Sequence, residues 1–157
     1  MLKYVNYEIV FAEILDEISL AINISNCPCN CSGCHSSYLA EDIGTLLTQR
    51  RLKDIIEKNK GITCVCFMGG DLEPHYINIL AKQVKETTDL KVGWYSGRQE
   101  LSKDINLKWF DFIKLGPYIE ELGPLNSPNT NQVMYKIIYQ NGTTIMIDIT
   151  NKFWNKI

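Results

Sequence analysis

Four cysteines, Cys27, Cys29, Cys31 and Cys34, fall within eight residues, and two more, Cys64 and Cys66, flank Val65 in an apolar stretch. Disulfides usually join distant parts of small secreted chains, so this clustering points to metal binding or catalysis instead. Cys27, Cys31 and Cys34 make a C-x3-C-x2-C pattern compact enough to bring three thiolates around one cuboidal iron–sulfur cluster. Such clusters usually take four thiolates, so three leave one iron open, much as a catalytic zinc keeps a vacancy. Cys29 is the spare thiol in this reading. The rival is a structural zinc site on all four cysteines, but such sites pair separated ligands that pin distant segments together, and four ligands in eight residues pin nothing. Cys64 and Cys66 read as small buried hydrophobes.

The elements around the cysteines decide what can face them. Residues 17–25 alternate apolar and polar side chains and read as a strand delivering the chain into the cysteine loop. Thr48 caps a helix running to about Asn59, with Leu52, Ile55 and Ile56 on one face and Gly61 beyond its end. Residues 62–68 form a continuous apolar strand, as expected for one buried on both faces. Gly69-Gly70-Asp71 ends it, and Pro74 opens a helix in which Ile77, Leu80, Ala81 and Val84 recur at helical spacing. Residues 91–95 make the next strand, 99–103 a short helical patch, and 109–115 another strand. Trp94, Tyr95, Trp109 and Phe110 are read as core because they fall in these strands, and His75 as solvated. Asn141-Gly142, between residues 132–139 and 143–150, signals a C-terminal β-hairpin. An irregular segment from Gly116 to Asn131 is too long for a passive connector.

Strands alternating with helices imply an α/β fold with a mainly parallel sheet. A full eight-unit barrel takes roughly 250 residues, so a chain of 157 residues builds only part of one and its sheet stays open. Ligands of such sheets gather at the carboxyl ends of the strands, where the cysteine loop, Gly69-Gly70-Asp71 and Ser96-Gly97 converge. One domain over residues 1–157 is the expectation. The net charge of −2, with no long charge runs, removes the electrostatic footprint of a nucleic-acid binder. Acidic residues in the first fifteen positions interrupt the apolar run a secretory signal needs, and no apolar run reaches membrane-spanning length, so a cytoplasmic, membrane-free protein is expected.

The segment Asn26-Cys27-Pro28-Cys29-Asn30-Cys31-Ser32-Gly33-Cys34-His35 resembles the cluster loop of the radical S-adenosylmethionine enzymes. Within them it is similar to that of the anaerobic ribonucleoside-triphosphate reductase activating proteins. Met68-Gly69-Gly70-Asp71 resembles that family's GGE motif, and Trp94-Tyr95-Ser96-Gly97 its W-x-T-G-Y segment. Gly116-Pro117-Tyr118 and Asn129-Thr130-Asn131-Gln132 resemble its DG-x-F and S-x-NQ region. The matches keep family order over roughly residues 20–140. Asp71 stands where Glu is usual and is one methylene shorter; Arg98 stands where an aromatic is frequent.

The resemblance implies a partial, open (β/α) barrel of the radical S-adenosylmethionine type, closed off in sequence by the β-hairpin. It also implies that Cys27, Cys31 and Cys34 bind a [4Fe-4S] cluster whose open iron takes the amino and carboxylate groups of S-adenosyl-L-methionine. Gly33, His35, Gly69, Gly70, Asp71 and Ser96 would form the cofactor surroundings, with His35 either covering the cluster or capping its loop. One electron, from a low-potential donor such as a flavodoxin, would then release methionine and a 5′-deoxyadenosyl radical. That radical would take hydrogen from a backbone glycine of the large reductase subunit. The alternatives are an activase of another glycyl-radical enzyme, a small-molecule enzyme of the same superfamily, or a zinc-binding interaction module. Taken alone, Gly-Gly-Asp is an ordinary turn; its place beside the cysteine loop gives it weight.

Overall fold

The computed structural model describes residues 1–31, 33–34 and 36–154. Its framework is an eight-stranded sheet in the order β3-β1-β2-β4-β5-β6-β7-β8. The strands are β1 (Lys3–Val10), β2 (Ser19–Ile24), β3 (Thr45–Leu46), β4 (Cys64–Met68), β5 (Lys91–Tyr95), β6 (Phe112–Leu115), β7 (Val133–Gln140) and β8 (Thr143–Asp148). The central four, β2, β4, β5 and β6, run parallel, with Asn23 opposite Met68 and Met68 opposite Tyr95. Antiparallel strands flank them, β1 on one side and the β7–β8 pair on the other. The sheet does not close: β3 and β8 are its edges. Asn141 and Gly142 both take positive φ in the turn between β7 and β8, the conformation a two-residue hairpin requires.

Two helices cover one face. Helix α1 (Gln49–Lys58) starts where the Thr48 hydroxyl accepts the Arg51 amide at 3.0 Å, and α2 (Pro74–Thr87) starts on its proline. Their apolar stripes, Leu52 and Ile55, then Ile77, Leu80, Ala81 and Val84, pack on Leu20, Ile22, Val65, Phe67, Val92, Trp94 and Ile113 of the sheet. Because strand side chains alternate between faces, the intervening residues point the other way. There Cys64, Cys66, Phe112 and Met134 form a second, smaller core with Ile14, Leu125 and Ile149. Neither α1 nor α2 covers this second face, which leaves room for a cavity. Among the described residues, no helix is long and apolar enough to cross a membrane.

Three expectations change. Residues 99–103 form bends and a turn, because the Ser102 hydroxyl caps the Asp104 amide at 3.2 Å and the Asn78 side chain takes the Asn106 amide at 2.7 Å. These side-chain bonds compete with a helical ladder. The only helical turn in this connection comes later, at Leu107–Trp109. Trp109 therefore lies outside β6, half-buried, with the Lys108 ammonium 4.6 Å and the Lys82 ammonium 5.7 Å from its ring centre. Third, the sheet is mixed rather than mainly parallel, because β1, β3, β7 and β8 all pair antiparallel around the four parallel strands.

Gly70 is held by the core. It has φ +96°, and a β-carbon there would stand 2.5 Å from Ile77 Cδ1 and 3.3 Å from Leu2 Cδ1. Gly70→Ala should therefore lower stability by about 1–3 kcal/mol, read as a lower denaturant midpoint. An unchanged midpoint would mean that the start of α2 yields without cost.

Candidate metal centre

The parallel strands end on one side of the sheet, and the turns that follow them build the site. After β2, the chain makes a loop stapled at its base. The Asn26 amide donates to Glu41 O at 3.0 Å, the Cys27 amide to Leu39 O at 2.8 Å, and the Ser25 hydroxyl to Ile43 O at 2.5 Å. Asn26 and Asn30 take positive φ, which asparagine tolerates better than most residues. Cys27, Cys29, Cys31 and Cys34 are all free thiols, partly exposed, and all line one cavity of about 780 Å³. Its floor is the second face of the sheet, represented by Asn23, Met68, Tyr95 and Lys114. The Gly116–Asn131 segment supplies a wall through Tyr118, Pro124, Leu125 and Asn126, and Phe153 and Trp154 supply another.

Asp71 ties the pieces together. Only 6% exposed, it accepts the Ser96 hydroxyl at 2.5 Å on one oxygen and the Gly97 amide at 2.8 Å on the other. The Cys29 thiol also lies against that second oxygen, at 3.7 Å. Gly97 permits this approach, since a β-carbon there would come within 2.7 Å of Cys29 Sγ. The turn before Asp71 is fixed from the next strand, where the Trp94 indole donates to Gly69 O at 2.7 Å.

The expected site residues thus separate. The four cysteines, Gly69, Asp71 and Gly97 face the cavity. Ser96 is buried and acts on Asp71 from behind. Gly70 turns its Cα toward the core, and Gly33 is exposed with the Glu120 carboxylate 2.9 Å from where its β-carbon would stand. His35 lies outside the described residues. Cys64 and Cys66 belong to the second core; burial pushes the Cys64 thiol up to about 12 and the Cys66 thiol well above its usual range.

Lys114 is the residue that sequence reasoning passed over. It is 7% exposed, and its ammonium donates to Gly116 O at 3.0 Å and lies 5.5 Å from the Tyr95 ring centre. Burial pushes its pKa down, while Asp71, Cys31, Cys29 and Cys27 push back. The signal was a lysine inside an otherwise apolar strand, Phe112–Leu115.

The donor set suits iron–sulfur chemistry, because thiolates bind such clusters and these four are reduced and share a cavity. Among the described residues, no three His, Cys, Asp or Glu side chains are already gathered closely enough to hold a metal ion. Ligand sets of this kind commonly assemble with the metal. The thiols already differ from one another. A hydrogen bond from the Cys29 thiol is the largest influence on Cys27 and, against burial, lowers it from 9.0 to about 6; the same bond raises Cys29. In iron-free protein Cys27 should therefore be thiolate above about pH 6 and alkylate readily at pH 7. Cys29→Ala removes the hydrogen bond, so the inflection of Cys27 labelling against pH, followed by mass spectrometry, should move upward. An inflection that stays in place would contradict the pairing.

No curated protein and no solved structure matches the chain. A family model does match: the 4Fe-4S single cluster domain, over residues 18–133. That span runs from the start of β2 to the start of β7 and contains the cysteine loop, Asp71 and Lys114. The chain belongs to the 4Fe-4S single cluster domain family and is an iron–sulfur protein.

Proposed function

We propose that the protein is a radical S-adenosylmethionine activating enzyme that installs a glycyl radical on an anaerobic ribonucleoside-triphosphate reductase. The observation that carries this reading is the meeting of Cys27, Cys31 and Cys34 with Gly69 and Asp71 in one cavity at the carboxyl ends of parallel strands. In this reading the three cysteines hold the cluster and Cys29 does not. When bound, the reduced cluster supplies the electron that splits S-adenosyl-L-methionine into methionine and a 5′-deoxyadenosyl radical. The open sheet with four parallel central strands is the feature of the fold that supports this reading.

The chain's own residues orient and shield. Asp71, held by Ser96 and Gly97, presents a carboxylate at the cavity wall. A carboxylate so placed can take the ammonium of the methionyl group once Cys29 moves aside, a charge-assisted contact. Its shorter reach relative to Glu is offset by the turn that brings it against the cysteine loop. Tyr118, Leu125 and Trp154 form apolar walls that exclude water from a radical. The cavity volume of about 780 Å³ lies within the range of cofactor sites.

The protein substrate is an extended, glycine-bearing loop of the reductase's large subunit, and the electron comes from a low-potential cytoplasmic donor of the flavodoxin kind. The test is anaerobic incubation of the reconstituted protein with that subunit, S-adenosyl-L-methionine and a reductant, followed by electron paramagnetic resonance. A glycyl-radical signal approaching one per acceptor site is expected with the partner, and only slow 5′-deoxyadenosine release without it. Efficient turnover of a small molecule in the absence of any protein partner would overturn the assignment.

A further inference from the structure

Lys114 is a cation placed where the surrounding sheet face is otherwise apolar. Its neighbours on that face are Cys64, Cys66, Phe112 and Met134, all buried. Burying an ammonium is costly unless it is paired. Among the described residues, Lys114 makes no ion pair; its direct partners are a backbone carbonyl and the Tyr95 ring. Lys114 lines the same cavity as Asp71 and the thiols Cys27, Cys29 and Cys31. Asp71 is oriented by the Ser96 hydroxyl and the Gly97 amide and makes no direct ion pair with Lys114. The cavity therefore sets a buried ammonium without a direct ion pair beside the cysteines that would carry the cluster.

We propose that Lys114 is the counter-cation of the iron–sulfur cluster, raising the cluster's reduction potential from one wall of the cavity without touching the iron. The inference rests on the reading that the cysteine loop holds the cluster. Accepting one electron adds negative charge to an assembly that thiolates have already made anionic. A fixed cation in a poorly hydrated wall stabilises that reduced form more than the oxidised one, because Coulomb attraction is weakly screened there. The location fits the role. Lys114 sits at the end of β6, with its backbone carbonyl accepting the Ser96 amide at 2.9 Å, so the strand pair that orients Asp71 also fixes the ammonium. Nothing about the role requires the lysine to bind substrate; it is a positioning charge.

The measurement is a potentiometric titration of the reconstituted protein, without S-adenosyl-L-methionine, monitored by electron paramagnetic resonance of the reduced cluster. Lys114→Gln retains a donor toward Gly116 O and removes the charge; Lys114→Met removes both; Lys114→Arg restores charge. Iron, sulfide and visible absorption are measured first, so loss of the cluster is distinguished from a change in its potential. With cluster content intact, Gln and Met should lower the reduced-to-oxidised ratio at a fixed poise by about tenfold or more, equivalent to about 59 mV for a one-electron couple. The arginine variant should stay near wild type. Midpoints equal to wild type in both neutral variants would overturn the proposal. So would equal midpoints accompanied by a tenfold loss of S-adenosyl-L-methionine affinity, which would make Lys114 a ligand anchor instead. If Met fails to incorporate the cluster, the Gln and Arg pair still decides the matter; if every variant fails while wild type loads, Lys114 is a folding residue and the proposal falls.

Discussion

A buried carboxylate costs free energy unless its oxygens are satisfied, and the way this chain satisfies Asp71 organises the site. The Ser96 hydroxyl and Gly97 amide come from the end of β5, Asp71 from the end of β4, and the Cys29 thiol from the loop after β2. Three turns that are far apart in sequence are thereby held at one point. The glycine at position 97 allows the cysteine loop to come this close, and Trp94 secures the turn that presents Asp71 by binding Gly69 O. Without this junction the parallel strands would still align their ends, but the cysteine loop would have one fewer anchor to the sheet.

Sheet alternation does the remaining placing. One set of strand side chains builds the core under α1 and α2, and the other set builds a smaller core that stops short of the strand ends. Where that second core stops, Met68, Tyr95 and Lys114 pass from packing to lining a cavity. The two helices leave this face free, and the wall is completed by irregular chain from residues 116–131 and by the C-terminal aromatic pair Phe153 and Trp154. Packing and site are thus made by the same strands, on opposite or successive positions.

Much of this was legible because it follows local rules. The Thr48 cap, the Pro74 start, the apolar run of β4 and the Asn141-Gly142 turn each have a short-range cause, and each element stands close to where the pattern puts it. The cysteine spacing was equally plain. What escaped depends on tertiary pairing. β1 is specified by β2 across a register shift, and residues 99–103 are governed by a cap inside their connection and a bond from α2. Gly70 reads as a cofactor glycine in a motif, yet its missing side chain makes room for Ile77. Lys114 was hidden by its apolar neighbours, although a charge within a doubly buried strand is itself an anomaly that asks for a partner.

In the proposed function, three thiolates leave an iron open for S-adenosyl-L-methionine in the cavity that Asp71 holds together. The most direct test of that reading is electron–nuclear double resonance of the reduced cluster with S-adenosyl-L-methionine labelled with nitrogen-15 at the amino group or oxygen-17 at the carboxylate. Hyperfine coupling from both labels to the cluster, unchanged in kind by Cys29→Ala, is the predicted result. A reduced cluster that takes up no coupling from either label at saturating ligand, and that loses its iron when Cys29 is replaced, would show four-cysteine ligation and contradict the account.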